Sequence, residues 1–167
     1  NPFYFDKYRE ELLVRFSFRN IIEQNQVIAS SMQNQNSVSL HVRRGDYLNS
    51  PSVNGLCTEE YYKKAVSYIK ERVDNPHFYI FSNDAEWCKT FAEGLSINYT
   101  IVEHNTGVNS FQDMFLMSQC KHNILANSSF SWWGAYLNNH ISAIKIAPSI
   151  WNRNYSQEYN KTCTPET

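Results

Sequence analysis

The sequence predicts an α/β fold built on a doubly wound parallel sheet, and three observations carry that reading. Short apolar runs of strand character alternate with helical patterns of about ten to eighteen residues, and the alternation repeats four times. Parallel strands need a crossover of that length, and right-handed crossovers lay the helices on the two faces of the sheet. Several runs also end abruptly in polar or charged residues, as strands do when their carboxyl ends meet a ligand. No internal repeat or low-complexity segment competes with this Rossmann-like arrangement.

Residues 4–18 set Leu12, Leu13 and Phe16 among charges at helical spacing, and a second amphipathic stretch runs from about Asn20 to Met32. The polar run Gln33-Asn34-Gln35-Asn36-Ser37 reads as an interdomain linker or as a solvated loop. Residues 37–43 follow as a strand through Val38, Leu40 and Val42, then break into Arg43, Arg44, Gly45 and Asp46. Gly45 is expected to permit a tight turn there. Residues 48–55, rich in Asn, Ser and Pro, read as a mobile excursion.

Thr58 is placed to cap a helix with Glu59 and Glu60 in its first turn. That helix is expected to reach about Val73 with Tyr61, Ala65, Tyr68, Ile69 and Val73 on one face, and Asn75-Pro76 ends it. A strand over 77–82 leads through Asn83-Asp84 into a short helix to about Glu93. A strand over 99–103, a loop over 105–109 and a helix over 110–120 come next. The apolar run 122–126 leads into Asn127-Ser128-Ser129-Phe130-Ser131 and a helix to about Asn139. A last strand over 143–147 stops at Pro148, and the tail from Trp151 is expected to be irregular.

With 167 residues, 42% apolar, 19% charged and a net charge of −1, the chain is long enough for one domain with its own core. It lacks the basic bias of a general nucleic-acid binder. The cysteines Cys57, Cys88, Cys120 and Cys163 include no C-x-x-C pair, which speaks for reduced thiols and against zinc. No apolar run reaches the roughly 18 residues of a membrane span.

Three strand ends carry polar groups, and in a parallel sheet they share one edge. At the first, His41 to Asp46, two guanidinium groups can neutralise a pyrophosphate, although arginines so placed also form weak surface ion pairs. At the second, Asp84 caps the next helix by default, and with Asn83 it can accept from a base or a ribose hydroxyl. At the third, Asn127, Ser128, Ser129, Phe130 and Ser131 open a helix whose free amides and dipole suit a phosphate. Neither G-x-G-x-x-G nor a Walker lysine motif is present, and no metal-ligand grouping is visible.

The run His41-Val42-Arg43-Arg44-Gly45-Asp46-Tyr47 resembles the H-x-R-R-x-D element of the α-1,2-fucosyltransferases, glycosyltransferase family 11. The resemblance continues through Tyr61-Tyr62-Lys63-Lys64-Ala65, Phe81-Ser82-Asn83-Asp84 and Asp113-Met114-Phe115-Leu116-Met117. It closes on the run from Cys120 to Ala135, so that it covers about 37–150. It implies half of a GT-B-like, two-domain, inverting glycosyltransferase that needs no metal or other cofactor and takes GDP-fucose as donor. The acceptor it implies is the 2-hydroxyl of a terminal β-galactoside. Another linkage, or a nucleotide-sugar or glycan-binding fragment without turnover, is the competing reading.

By the same resemblance Arg43 and Arg44 hold the donor diphosphate and stabilise the leaving group. His41 and Asp84 face the guanine or ribose, Ser128, Ser129 and Ser131 face the phosphates, and Asp46 braces the arginine loop. The general base is not assigned: it lies in the arginine loop or outside this chain. Residues 1–36 are expected to be a helical connection from an N-terminal acceptor domain, 37–150 the donor-binding domain and 151–167 a tail. The expected setting is a bacterial cytoplasm, at the membrane periphery or free of it, or a Golgi lumen if an anchor precedes residue 1.

Overall fold

Five strands lie parallel in one sheet: β1 (Ser37–Val42), β2 (His77–Ser82), β3 (Asn98–Val102), β4 (His122–Ile124) and β5 (Lys145–Ile146). Their order across the sheet is β3-β2-β1-β4-β5. The structure is a computed structural model that describes residues 5–48, 57–152, 154 and 156–163, with the side chains of 46, 48 and 161–163 excepted. The predicted excursion over 48–55 therefore lies almost wholly outside the described residues. The helices are α1 (Arg9–Arg15), α2 (Glu23–Gln33), α3 (Gly45–Leu48), α4 (Glu59–Lys70), α5 (Ala85–Gly94), α6 (Phe111–Gln119), α7 (Ser129–Tyr136) and α8 (Gln157–Cys163).

The chain winds outward from β1 through β2 to β3, then returns by way of α6 to β4 on the other side of β1. The strand order thus reverses between β1 and β4, and a doubly wound sheet opens a crevice at that switch point. On one face Val38, Leu40, Val42, Phe78 and Ile80 pack against Tyr62, Ala65 and Ile69 of α4 and Phe91 of α5. On the other, Tyr79 and Phe81 pack against Ala29 and Met32 of α2 and Leu116 and Met117 of α6. Because both faces are covered, β1 is buried along its whole length, including its polar alternates. Ser37 donates to Met32 O at 2.8 Å, and Ser39 accepts from Asn123 at 2.7 Å, so neither hydroxyl is orphaned.

Several expectations need correction. The helix predicted over 4–18 is a 3₁₀ turn, Asp6–Tyr8, followed by α1; Asn20 then takes a left-handed φ of 55° that separates it from α2. In α4 the Thr58 cap is present, accepting from Tyr61 N at 3.2 Å. The buried stripe, however, is Tyr62, Ala65, Val66 and Ile69, one position round from the predicted face, and Tyr68 is 45% exposed. Tyr61 sits at the edge of that stripe and donates its hydroxyl to Leu125 O at 2.6 Å. Among the described residues the tail is not wholly irregular, since α8 forms and Asn160 accepts from Trp151 N at 2.7 Å and Asn152 N at 2.8 Å. Gly45 makes no positive-φ turn; it opens α3 where an added Cβ would lie 2.9 Å from the Asn83 amide nitrogen.

Candidate functional site

At the switch point a cavity of about 460 Å³ collects residues from β1, β2, α3, α6 and α7. The register places His41 beside Phe81 and Val42 beside Ser82, so β1 and β2 end together and release their polar loops at one edge. Of the residues predicted from sequence, His41, Arg43, Asn83, Ser128, Ser129 and Phe130 line this cavity. Ser128 also caps α7, accepting from Phe130 N at 3.3 Å, and so places the amide end of that helix at the cavity wall.

His41 is 5% exposed, and burial first, then the nearby Arg43 charge, pulls its pKa down to about 3. The ring is therefore neutral at physiological pH. Its Nδ1 is buried without a hydrogen-bond partner among the described residues, an arrangement that costs free energy until something completes it. The Arg43 guanidinium lies 5.7 Å from the centre of the Tyr47 ring, which also lines the cavity.

The other predicted residues are placed differently. Arg44 pairs with Asp84 at 3.3 Å and stacks over Trp87 at 4.4 Å, away from the cavity lining. Asp84 accepts from Trp87 N at 3.2 Å as the α5 cap. Asn127 is buried and donates to Trp151 O at 3.3 Å, while Ser131 turns inward to Ala126 O at 3.3 Å. Asn83 bridges the two arrangements: it lines the cavity, and its side-chain oxygen accepts from Arg44 N at 3.1 Å and Gly45 N at 3.2 Å. The side chain of Asp46 lies outside the described residues.

Sequence reasoning quoted Asp113 within a motif but gave it no role in the site. Asp113, in the first turn of α6, lines the cavity, and burial raises its pKa to about 6 against the opposing pull of an Asn105 hydrogen bond. Asn105 donates to its Oδ1 at 2.8 Å. A second hollow of about 600 Å³ lies between α4 and β5, lined by apolar groups with Lys64 and Lys145. It is the larger of the two but holds none of the strand-end groups, which gather instead at the switch-point cavity. Among the described residues no cluster of ligands for a metal ion occurs, and no helix is long and apolar enough to cross a membrane.

A doubly wound sheet with an arginine, a neutral histidine and a helix amino end around its switch point defines an α/β domain suited to an anionic, nucleotide-like ligand. The chain belongs to glycosyl transferase family 11, whose sequence model matches residues 2–165. It is 42% identical over 154 residues to the alpha-1,2-colitosyltransferase of Escherichia coli, covering 90% of this chain and 53% of that protein. It is 42% identical over 123 residues to the O-antigen biosynthesis glycosyltransferase WbnK of Escherichia coli, covering 71% of this chain and 40% of that protein. Human galactoside alpha-(1,2)-fucosyltransferase 1 is 32% identical over 103 residues, 60% of this chain and 28% of that protein. The chain thus spans about half, or less, of the length of these relatives. The solved structure of POFUT1 in complex with GDP shares the fold, with a TM-score of 0.52 and 13% identity over 77% of this chain and 46% of that one.

Proposed function

We propose that this chain is the donor-binding half of an inverting α-1,2-fucosyltransferase that moves L-fucose from GDP-fucose to the 2-hydroxyl of a terminal β-galactoside. The observation that carries this reading is the meeting of Arg43, the orphaned His41 ring and the amide end of α7 around one cavity. In an inverting displacement the sugar gains oxocarbenium character while negative charge builds on the departing diphosphate. Guanidinium and amide donors already aimed at that charge stabilise it without reorganising. Arg43 and the Ser128–Ser129 turn supply such donors, so no metal is needed in this proposal.

Asp113 then reads the base: its carboxylate can accept the paired N1–H and N2–H donors of guanine, a pair that neither adenine nor uracil offers. Arg44 and Asp84 hold the arginine loop rather than touch the donor. The base that takes the acceptor proton is sought in Asp46 or in a segment outside this chain. The 42% identity to a colitosyltransferase favours one second reading, a donor sugar lacking the 3-hydroxyl.

Calorimetry with GDP, ADP, GDP-fucose and GDP-colitose, with and without EDTA, tests both readings. The expected result is GDP and GDP-fucose binding indifferent to EDTA, with ADP at least tenfold weaker. Equal affinity for ADP and GDP would sink the base assignment, loss of binding in EDTA would sink metal independence, and a clear preference for GDP-colitose would change the donor.

A further inference from the structure

A fully buried set of side-chain amides lies behind Asp113 and reaches from the cavity back to α2. Asn25 is 0% exposed and Gln112 1%, and Asn105 is almost as deep. Burying neutral amides is costly unless every donor meets an acceptor, so the direction of each hydrogen bond here can be worked out. The starting point is fixed, because the Ile22 backbone N–H can only donate and gives its hydrogen to Gln112 Oε1 at 3.1 Å. The group of Asn25 that meets the same oxygen at 2.8 Å must then be its NH₂. That NH₂ also donates to Asn105 Oδ1 at 2.8 Å. The oxygen of Asn25 accordingly faces His104, whose Nε2 lies 2.8 Å away and has to carry a hydrogen. With its own oxygen held by Asn25, Asn105 has only its NH₂ left for Asp113, 2.8 Å distant.

From this geometry we infer that Asn25 and Asn105 are positioning residues, which aim an N–H at Asp113 and hold it as an oriented carboxylate toward the donor cavity. The inference rests on the donor-site reading above for what Asp113 touches, but not for the network itself. It makes α2 part of the site, although that helix belongs to the stretch expected to be a connection. The ionisable groups that line the cavity with Asp113 are His41 and Arg43 from the end of β1 and Tyr47 from α3, with His104 behind Asn25; the cavity-lining residues of α7 carry none. Releasing Asn105 removes the one hydrogen bond that opposes the effect of burial on Asp113. The proton then binds more tightly, and the carboxylate form is lost at a higher pH.

The test follows the Asp113 carboxyl by carbon NMR across pH, without ligand, in the whole chain and in Asn25→Leu and Asn105→Leu; Asn105→Ser serves if a leucine variant does not fold. GDP affinity is measured at pH 6 and pH 8 on the same proteins and on Asp113→Asn. The expected result is a titration midpoint raised by about one pH unit in the variants. Their GDP affinity should then be about fivefold lower at pH 6 and nearly unchanged at pH 8. An unmoved midpoint, or an equal loss at both pH values, would overturn the positioning role and leave only packing. A raised midpoint together with undiminished GDP binding by Asp113→Asn would instead overturn the nucleotide assignment and leave the network standing.

Discussion

Arg43 and Arg44 are neighbours at the end of one strand, yet they serve two different regions. On the face covered by α5, Arg44, Asp84 and Trp87 satisfy one another by an ion pair, a helix cap and a stacking contact. On the face of the sheet covered by α6, Arg43, His41 and Asp113 line a cavity and include a buried ring nitrogen with no partner among the described residues. A closed polar cluster stabilises a loop. In the proposed function a ligand completes the His41 ring nitrogen, and the neighbouring closed cluster holds the cavity in shape.

The largest effect that would break this contrast is at Arg43. Arg43→Ala should lower transfer by the whole enzyme by about a hundredfold or more, the scale of removing a donor from developing charge, and should weaken GDP binding as well. Titration of the variant with GDP decides the point, and near-normal affinity would place the anion elsewhere. Next is Asp113, whose pKa is raised to about 6 in the fold, above its unfolded value. An acid shifted in that direction weakens the fold once both states are ionised, so its cost is absent below about pH 4 and complete above about pH 6. Asp113→Asn should therefore be more stable at pH 7 by about 1–3 kcal/mol while binding GDP less well. Urea unfolding at pH 4 and pH 7 should show the gain only at the higher pH. The smallest effect is expected at Arg44, where Arg44→Ala should cost about 1–2 kcal/mol of stability through its half-buried pair and stacking contact. GDP affinity should drop only a few-fold, and a loss matching that of Arg43→Ala would erase the distinction between the two clusters.

Much of the scaffold was legible because the strands announce themselves locally. The run His77–Ser82 was read with the bounds that the structure gives it, and the strand ends at His41, Asn83 and Ser128 converge as a parallel sheet requires. The division of labour between the arginines was not legible, since adjacent residues of one type differ only in what the fold brings beside them. Trp87 lies more than forty positions from Arg44 and gives no local sign of the contact. Asp113 was hidden for a related reason: an acid in the first turn of a helix is explained by the dipole, and only the crossover of α6 to the carboxyl edge gives it a cavity. One signal was available for the amide network. Asn25, Ala29 and Met32 recur at helical spacing on one buried stripe, and a polar residue at such a position needs buried partners.

The seating of α2 bears on how members of this family can be recombined. Joining two enzymes at residue 36 would exchange a helix that covers Tyr79, Phe81, Leu116 and Met117, mismatching one wall of the core. A junction set before Glu23 keeps that wall, and the amide set behind Asp113, within a single parent, so that the graft inherits an intact switch-point cavity.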